Sequence, residues 1–292
     1  MSLQLEGESI EIIDAHSHMG EGRGENGLKS RREIAPQDRQ RSGKDYIDEV
    51  KTMSEVDELK DKLATAIQIL RWELADMWGH VSCRTPSGDS FLLLPLRPPL
   101  DHDIPEDDVL EFDMEGRLIS GRRDPPEEIF FYTCMYKAKK DAGAVIHCHP
   151  PVAVSLVATG KKIVPIHQHS IKFGKGIPTS PWLYGTWQED GEKSAKMIAN
   201  NCALMIKGHG ANVTGKTIQE ACLNTVHLER TAKMILWAQS VGKVSPFPAA
   251  VVKKYERVEA ERVTRRGSRP PRSPEWNYYE WMIKRGERWN TW

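Results

Sequence analysis

The sequence predicts an α/β fold, and three stretches carry that expectation. From Ser54 onward, Val56, Leu59, Leu63, Ile67, Leu70, Leu74 and Met77 recur every three or four residues, the spacing of an amphipathic helix behind a serine N-cap. Ala144-Val145-Ile146-His147-Cys148-His149 is a strand-like run halted by Pro150-Pro151, and Cys202-Ala203-Leu204-Met205-Ile206-Lys207 is a second that stops at Gly208-His209-Gly210. Thr217-Ile218-Gln219-Glu220 then has capping-box spacing and opens a helix expected to run to about Gln239. Strands and helices interleave, which is the α/β class.

The remaining elements follow in order. Residues 20–45 are rich in Gly, Arg, Lys, Glu and Gln and poor in aliphatics, leaving little to bury. Residues 1–50 therefore read as an N-terminal extension, 51–245 as the main domain and 246–292 as a Trp/Arg-rich C-terminal extension. Short apolar runs occur at Phe91–Leu94 and Val109–Phe112. Asp124-Pro125-Pro126-Glu127-Glu128 offers an N-cap, early prolines and first-turn acids for a helix ending near Lys140. Beyond Ser245 come Arg265-Arg266-Gly267-Ser268-Arg269-Pro270-Pro271-Arg272 and then Trp276, Tyr278, Tyr279, Trp281, Trp289 and Trp292. That aromatic end needs a surface to pack on, either its own domain or a neighbouring subunit near the active site.

Composition excludes several function classes. With 41 basic and 41 acidic residues among 292, the total charge implies neither nucleic acid nor an anionic membrane as partner. No basic start leads into an apolar run and no eighteen consecutive apolar residues occur, so a soluble, cytoplasmic protein is expected. Five irregularly spaced cysteines without a C-x-x-C pair are expected to be reduced, mostly buried thiols.

The candidate chemistry lies in three histidines. His147 and His149 stand two apart on a strand, so both imidazoles leave one face while Cys148 points the other way. His209 ends the second run, between glycines that permit close approach. Three imidazoles with an open coordination position suit a catalytic Zn²⁺, Mn²⁺, Fe²⁺ or Co²⁺ ion.

Together with Trp78-Gly79-His80-Val81-Ser82-Cys83-Arg84, Glu128, Lys207-Gly208-His209-Gly210 and Gly215-x-x-Ile218-x-Glu220-Ala221, these residues resemble the class II aldolase and adducin family over roughly residues 55–240. The resemblance implies a three-layer α/β/α domain with a central mixed, mainly antiparallel sheet, and a homotetramer with active sites between subunits. It also implies His147, His149 and His209 as metal ligands and Glu128 as the acid/base; His80 could bind a hydroxyl or carboxyl group, and either Glu128 or His80 would supply the proton that replaces carbon dioxide.

Where sugar-phosphate members hold phosphate with Gly-Asn, Thr-Gly and Ser-Ser pairs, this chain reads Gly79-His80, Leu96-Arg97 and Pro126-Glu127. Phosphate oxygens need small donors, and Leu, Pro and Glu remove them. Arg97 remains as a fork that matches a carboxylate. With His167, His169 and Tyr184 it completes the candidate substrate contacts, so a small carboxylic acid is the expected substrate. Retro-aldol cleavage and decarboxylation share an enediolate intermediate or its phenolate equivalent, and decarboxylation of a hydroxylated aromatic acid is the expected reaction. The rivals are aldol cleavage of an unphosphorylated oxo acid, a non-haem iron oxygenase, and a metal-free binding module. The presence of all three histidines argues against the last. Asp14-Ala15-His16-Ser17-His18 resembles the first strand of metal-dependent amidohydrolases, but no alternation of eight strands and helices follows.

Overall fold

A computed structural model describes residues 54–96, 98, 108–267 and 273–287. The N-terminal extension with Asp14, His16 and His18 lies outside the described residues, as does Arg97. Helix α1 (Glu55–Leu74) begins where the periodicity places it: the Ser54 hydroxyl accepts from the Asp57 N–H, and the Asp57 carboxylate accepts from the Ser54 N–H. It ends at Ala75 in a left-handed conformation, φ 53°, before Met77 is reached.

Eight strands form one sheet: β1 (His80–Arg84), β2 (Ser90–Leu93), β3 (Leu110–Asp113), β4 (Leu118–Ser120), β5 (Ala144–Cys148), β6 (Thr179–Ser180), β7 (Ala203–Ile206) and β8 (Gly210–Gly215). Their order is β4-β3-β2-β1-β5-β8-β7-β6, and every pairing is antiparallel except β6 with β7. The expected mixed, mainly antiparallel sheet is thus present.

Helices α1, α3 (Pro151–Ala158) and α5 (Ile218–Val241) pack on one face, over a core that includes Val81, Ile146, Cys148, Ala211 and Val213. Helices α2 (Ile129–Ala138) and α4 (Gln188–Ile198) cover the other, over Phe91, Leu93, Val145 and Leu204. The period-two alternation of strand side chains divides the residues between these cores. Helix α2 starts later than the sequence suggests, because Glu128 is its N-cap residue and the Asp124 carbonyl is taken by the Leu96 N–H. Four of the five cysteines are buried and all five are free thiols.

After α6 (Ala249–Arg266), helix α7 (Pro274–Lys284) packs back on its own domain against α1 and α5, burying Trp276, Tyr279 and Met282. Glu275 at its start accepts from Arg230 at 2.6 Å and from His227 Nε2 at 2.8 Å, and Arg230 also donates to the buried Glu73 at 2.7 Å. No helix of the described residues is long and apolar enough to cross a membrane.

Candidate metal centre

One cross-strand row organises the site. His80 on β1 pairs with His147 on β5, and His147 pairs with Asn212 on β8, so all three side chains leave the sheet on the α2 side. His149 follows one residue beyond β5, and His209 sits in the β7–β8 turn, where Gly208 adopts φ +72°. A Cβ on Gly210 would lie 2.4 Å from the Cys148 carbonyl, so only glycine lets the two chains meet beneath the histidines. One ring nitrogen each of His147, His149 and His209 lies within 4.8 Å of the others.

Each imidazole is held by its far nitrogen. His147 Nδ1 lies 2.8 Å from Asn212 Oδ1, and the Asn212 amide nitrogen donates to Ser194 Oγ at 2.8 Å, so the Asn oxygen faces the ring as an acceptor. His209 Nδ1 lies 2.8 Å from the Leu183 carbonyl. His149 Nδ1 lies 3.3 Å from Asp76 Oδ1, and its backbone N–H donates to Asp76 Oδ2 at 2.6 Å. Carbonyl and carboxylate oxygens only accept, so Nδ1 carries the proton in all three rings and each Nε2 lone pair is left for a ligand. His147 Nε2 is buried without a hydrogen-bond partner among the described residues. Burial pushes the pKa values of His147 and His209 down, with neighbouring histidines adding to the fall, so both favour the neutral, ligating form. The donor set fits a divalent cation.

A cleft of about 380 Å³ opens beside the triad, lined by Trp78, His80, Leu96, Glu127, Glu128, His149 and Tyr184. Both ring nitrogens of His80 are buried without a hydrogen-bond partner among the described residues, and burial moves its pKa down to about 4. The Tyr184 hydroxyl donates to Glu127 at 2.7 Å, while its ring stacks on Trp182 and leans against His209. His80, Glu128 and Tyr184 thus all line this cleft.

His167 and His169 do not reach this cleft. The 3₁₀ turn of Gln168–Phe173 lies on the opposite face of the sheet, where His167 Nε2 is 3.0 Å from Thr231 Oγ1 and His169 stacks on His227 of α5. The core packing of Ile163, Ile171 and Phe173 pins the segment there, and spacing alone could not reveal the face. Conversely, Asp76 and Asn212 were not singled out from the sequence. An Asp at the end of the apolar periodicity, four residues before His80, and an Asn between Ala211 and Val213 in a strand are the signals that could have marked them.

The family model for the Class II Aldolase and Adducin N-terminal domain matches residues 64–236. The chain is 28% identical over 158 residues to an L-fuculose phosphate aldolase of Methanocaldococcus jannaschii, a stretch covering 54% of this chain and 83% of that protein. It is 25% identical over 201 residues to a 3,4-dihydroxyphthalate decarboxylase of Arthrobacter keyseri, covering 63% and 79%. Against a 3-oxo-tetronate 4-phosphate decarboxylase of Escherichia coli (strain K12) the 27% identical stretch spans only 59% of the relative. Among solved structures, an aldolase II superfamily protein from Pseudomonas syringae superposes with a TM-score of 0.64 at 20% identity, covering 79% of this chain and 93% of that one.

Proposed function

The chain belongs to the class II aldolase and adducin family, and from that premise we propose that it is a metal-dependent carbon–carbon lyase. Its reaction is the decarboxylation of a small hydroxylated aromatic acid that carries no phosphate. The observation that carries this reading is the set of three Nε2 atoms, freed by their Nδ1 anchors, beside a cleft walled by Trp78 and Tyr184. A divalent cation bound there supplies Lewis acidity, drawing off the charge that develops when a carbon–carbon bond next to an oxygen-bearing carbon breaks. Imidazole nitrogens suit Zn²⁺, Mn²⁺, Fe²⁺ or Co²⁺.

The chain's own residues divide the remaining work. His80 is neutral near pH 7 and presents one donor and one acceptor in a dry wall, suited to hold the substrate's carboxyl or hydroxyl group. Trp78 and Tyr184 offer flat apolar faces to an aromatic ring. When the bond to the carboxyl carbon breaks, its electron pair passes into the oxygen-substituted ring and carbon dioxide leaves. That pair then takes a proton from the Glu128 carboxylic acid, and solvent returns a proton to Glu128. Glu127 and Glu128 both line the cleft, where a phosphate would meet two carboxyl groups in place of small donors. Trp78, Trp182 and Trp187 are each more than half exposed around the mouth, which supports a homo-oligomer, a tetramer in the family's manner, that covers them.

Aldol cleavage of an unphosphorylated oxo acid is the second reading, favoured by the resemblance to the M. jannaschii aldolase. Product analysis separates the two. The test combines elemental analysis of the purified protein and His149→Ala with carbon dioxide release from hydroxylated aromatic acids under anaerobic conditions. Metal near one equivalent, lost in the variant, with oxygen-independent release is the expected result. Metal without carbon dioxide shifts the reading to aldol cleavage or oxygenation, and absence of metal from both proteins overturns it.

A further inference from the structure

Acidic residues make up 41 of the 292 positions, yet none occurs in the 47 residues from position 142 to position 188, and the next 31 contain only Glu189, Asp190 and Glu192. The fold gathers lysines of this region on one surface. Lys161 and Lys162 follow α3, Lys175 precedes the edge strand β6, and Lys207 follows β7. All four line a groove of about 450 Å³ at the β6 edge of the sheet, with Val157 and Ile177 also in its wall.

Two features separate this groove from an ordinary solvated face. Among the described residues, no carboxylate lines it. None of the four lysines makes an ion pair or side-chain hydrogen bond with a described residue, whereas Lys62, Lys137, Lys193 and Lys284 all find acidic partners. Four uncompensated ammonium groups around one concavity focus positive potential inside it. The catalytic cleft has the opposite character, with Glu127 and Glu128 in its wall, and the two lining sets share no residue.

We propose that the lysine groove binds a nucleoside di- or triphosphate, at a site separate from the metal centre. Lysine is a flexible point charge that follows phosphate oxygens without a fixed fork, and several closely spaced negative charges are what four lysines neutralise together. The volume is that of a small-molecule site, and the apolar wall gives a base or ribose something to lie against. The site does not depend on the lyase reading, because it uses none of the residues assigned there.

The test is titration calorimetry of the full-length protein with ATP, ADP, AMP and pyrophosphate, repeated on His149→Ala to exclude chelation by the histidine triad. One saturable site per chain is expected for ATP and ADP, with AMP weaker by about tenfold or more and affinity falling as salt is raised. Lys161→Gln combined with Lys175→Gln is expected to weaken ADP binding by about tenfold, and the exposed Lys243→Gln to leave it unchanged. A folded double variant, checked by its unfolding midpoint, that binds ADP like the wild type overturns the site. So does binding that vanishes in His149→Ala. Tighter binding of an acidic peptide or an oligonucleotide than of ATP overturns the nucleotide assignment.

Discussion

Asn212 and His147 lie opposite each other on neighbouring strands, and the Asn212 side-chain oxygen sits 2.8 Å from His147 Nδ1. That contact fixes both the ring's orientation and its proton. Asn212→Leu removes the acceptor and leaves a buried N–H unmet, so metal affinity is expected to fall about 10- to 100-fold in competition with a chelator. Unchanged affinity would show that the ring orients itself.

Asp76 holds His149 through both backbone and ring. Asp76→Asn keeps the size but replaces one acceptor oxygen with a donor, and a loss of metal affinity of about the same order is expected. A change of unfolding midpoint without a change of affinity would assign Asp76 to the fold alone.

Glu128→Gln is expected to lower turnover by about 10²- to 10⁴-fold while bound metal stays at the wild-type level. Equal loss of metal and turnover would mean that Glu128 acts by holding the ion.

Helix α7 contributes to the core, with Trp276 only 3% exposed. Trp276→Ala is expected to cost about 3–5 kcal/mol of stability, read from urea unfolding of the metal-free protein. An effect under about 1 kcal/mol would mean that α7 is dispensable.

Two groups on the α5 face set an acid limit on stability. Burial, with His169 beside it, pushes the His167 pKa down to about 4. The unfolded chain takes up that proton near pH 6.5 and the folded chain does not, so stability present above pH 6.5 is lost as the pH falls through this window. Burial favours the neutral acid at Glu275, but the His227 hydrogen bond and the Arg230 charge outweigh it and hold its pKa at about 2. Its contribution is present above about pH 4.5 and lost from there toward pH 2. Urea midpoints of the chelator-treated protein at pH 7, 5.5 and 4 are expected to fall stepwise, with a shallower fall in His167→Gln. A flat profile would refute the assignment.

Much of the fold was legible in local pattern. The Ser54 and Thr217 caps, the His147 strand and the His209 turn are written in short-range spacing, and they sit where that spacing puts them. The α2 start was misplaced because two prolines and two acids imitate a first turn, while the backbone of Asp124 serves another segment. The anchors were hidden for a different reason. The partner of His149 is 73 residues away and that of His147 is 65 residues away, distances that only the assembled sheet closes. His167 and His169 share the spacing of His147 and His149, yet core packing turns them to the opposite side.

The same scattering would govern when the proposed ion is acquired. Anchors and candidate ligands run from Asp76 to Asn212, with the Leu183 carbonyl between, so no shorter stretch of nascent chain contains all three histidines together with the groups that orient them. On the proposed metal-dependent reading, ordered capture would therefore follow synthesis through Asn212 and assembly of the sheet. The ion pool that the folded chain first encounters would then determine its occupancy, and a chain refolded against a surplus of the wrong metal would carry that history into any assay.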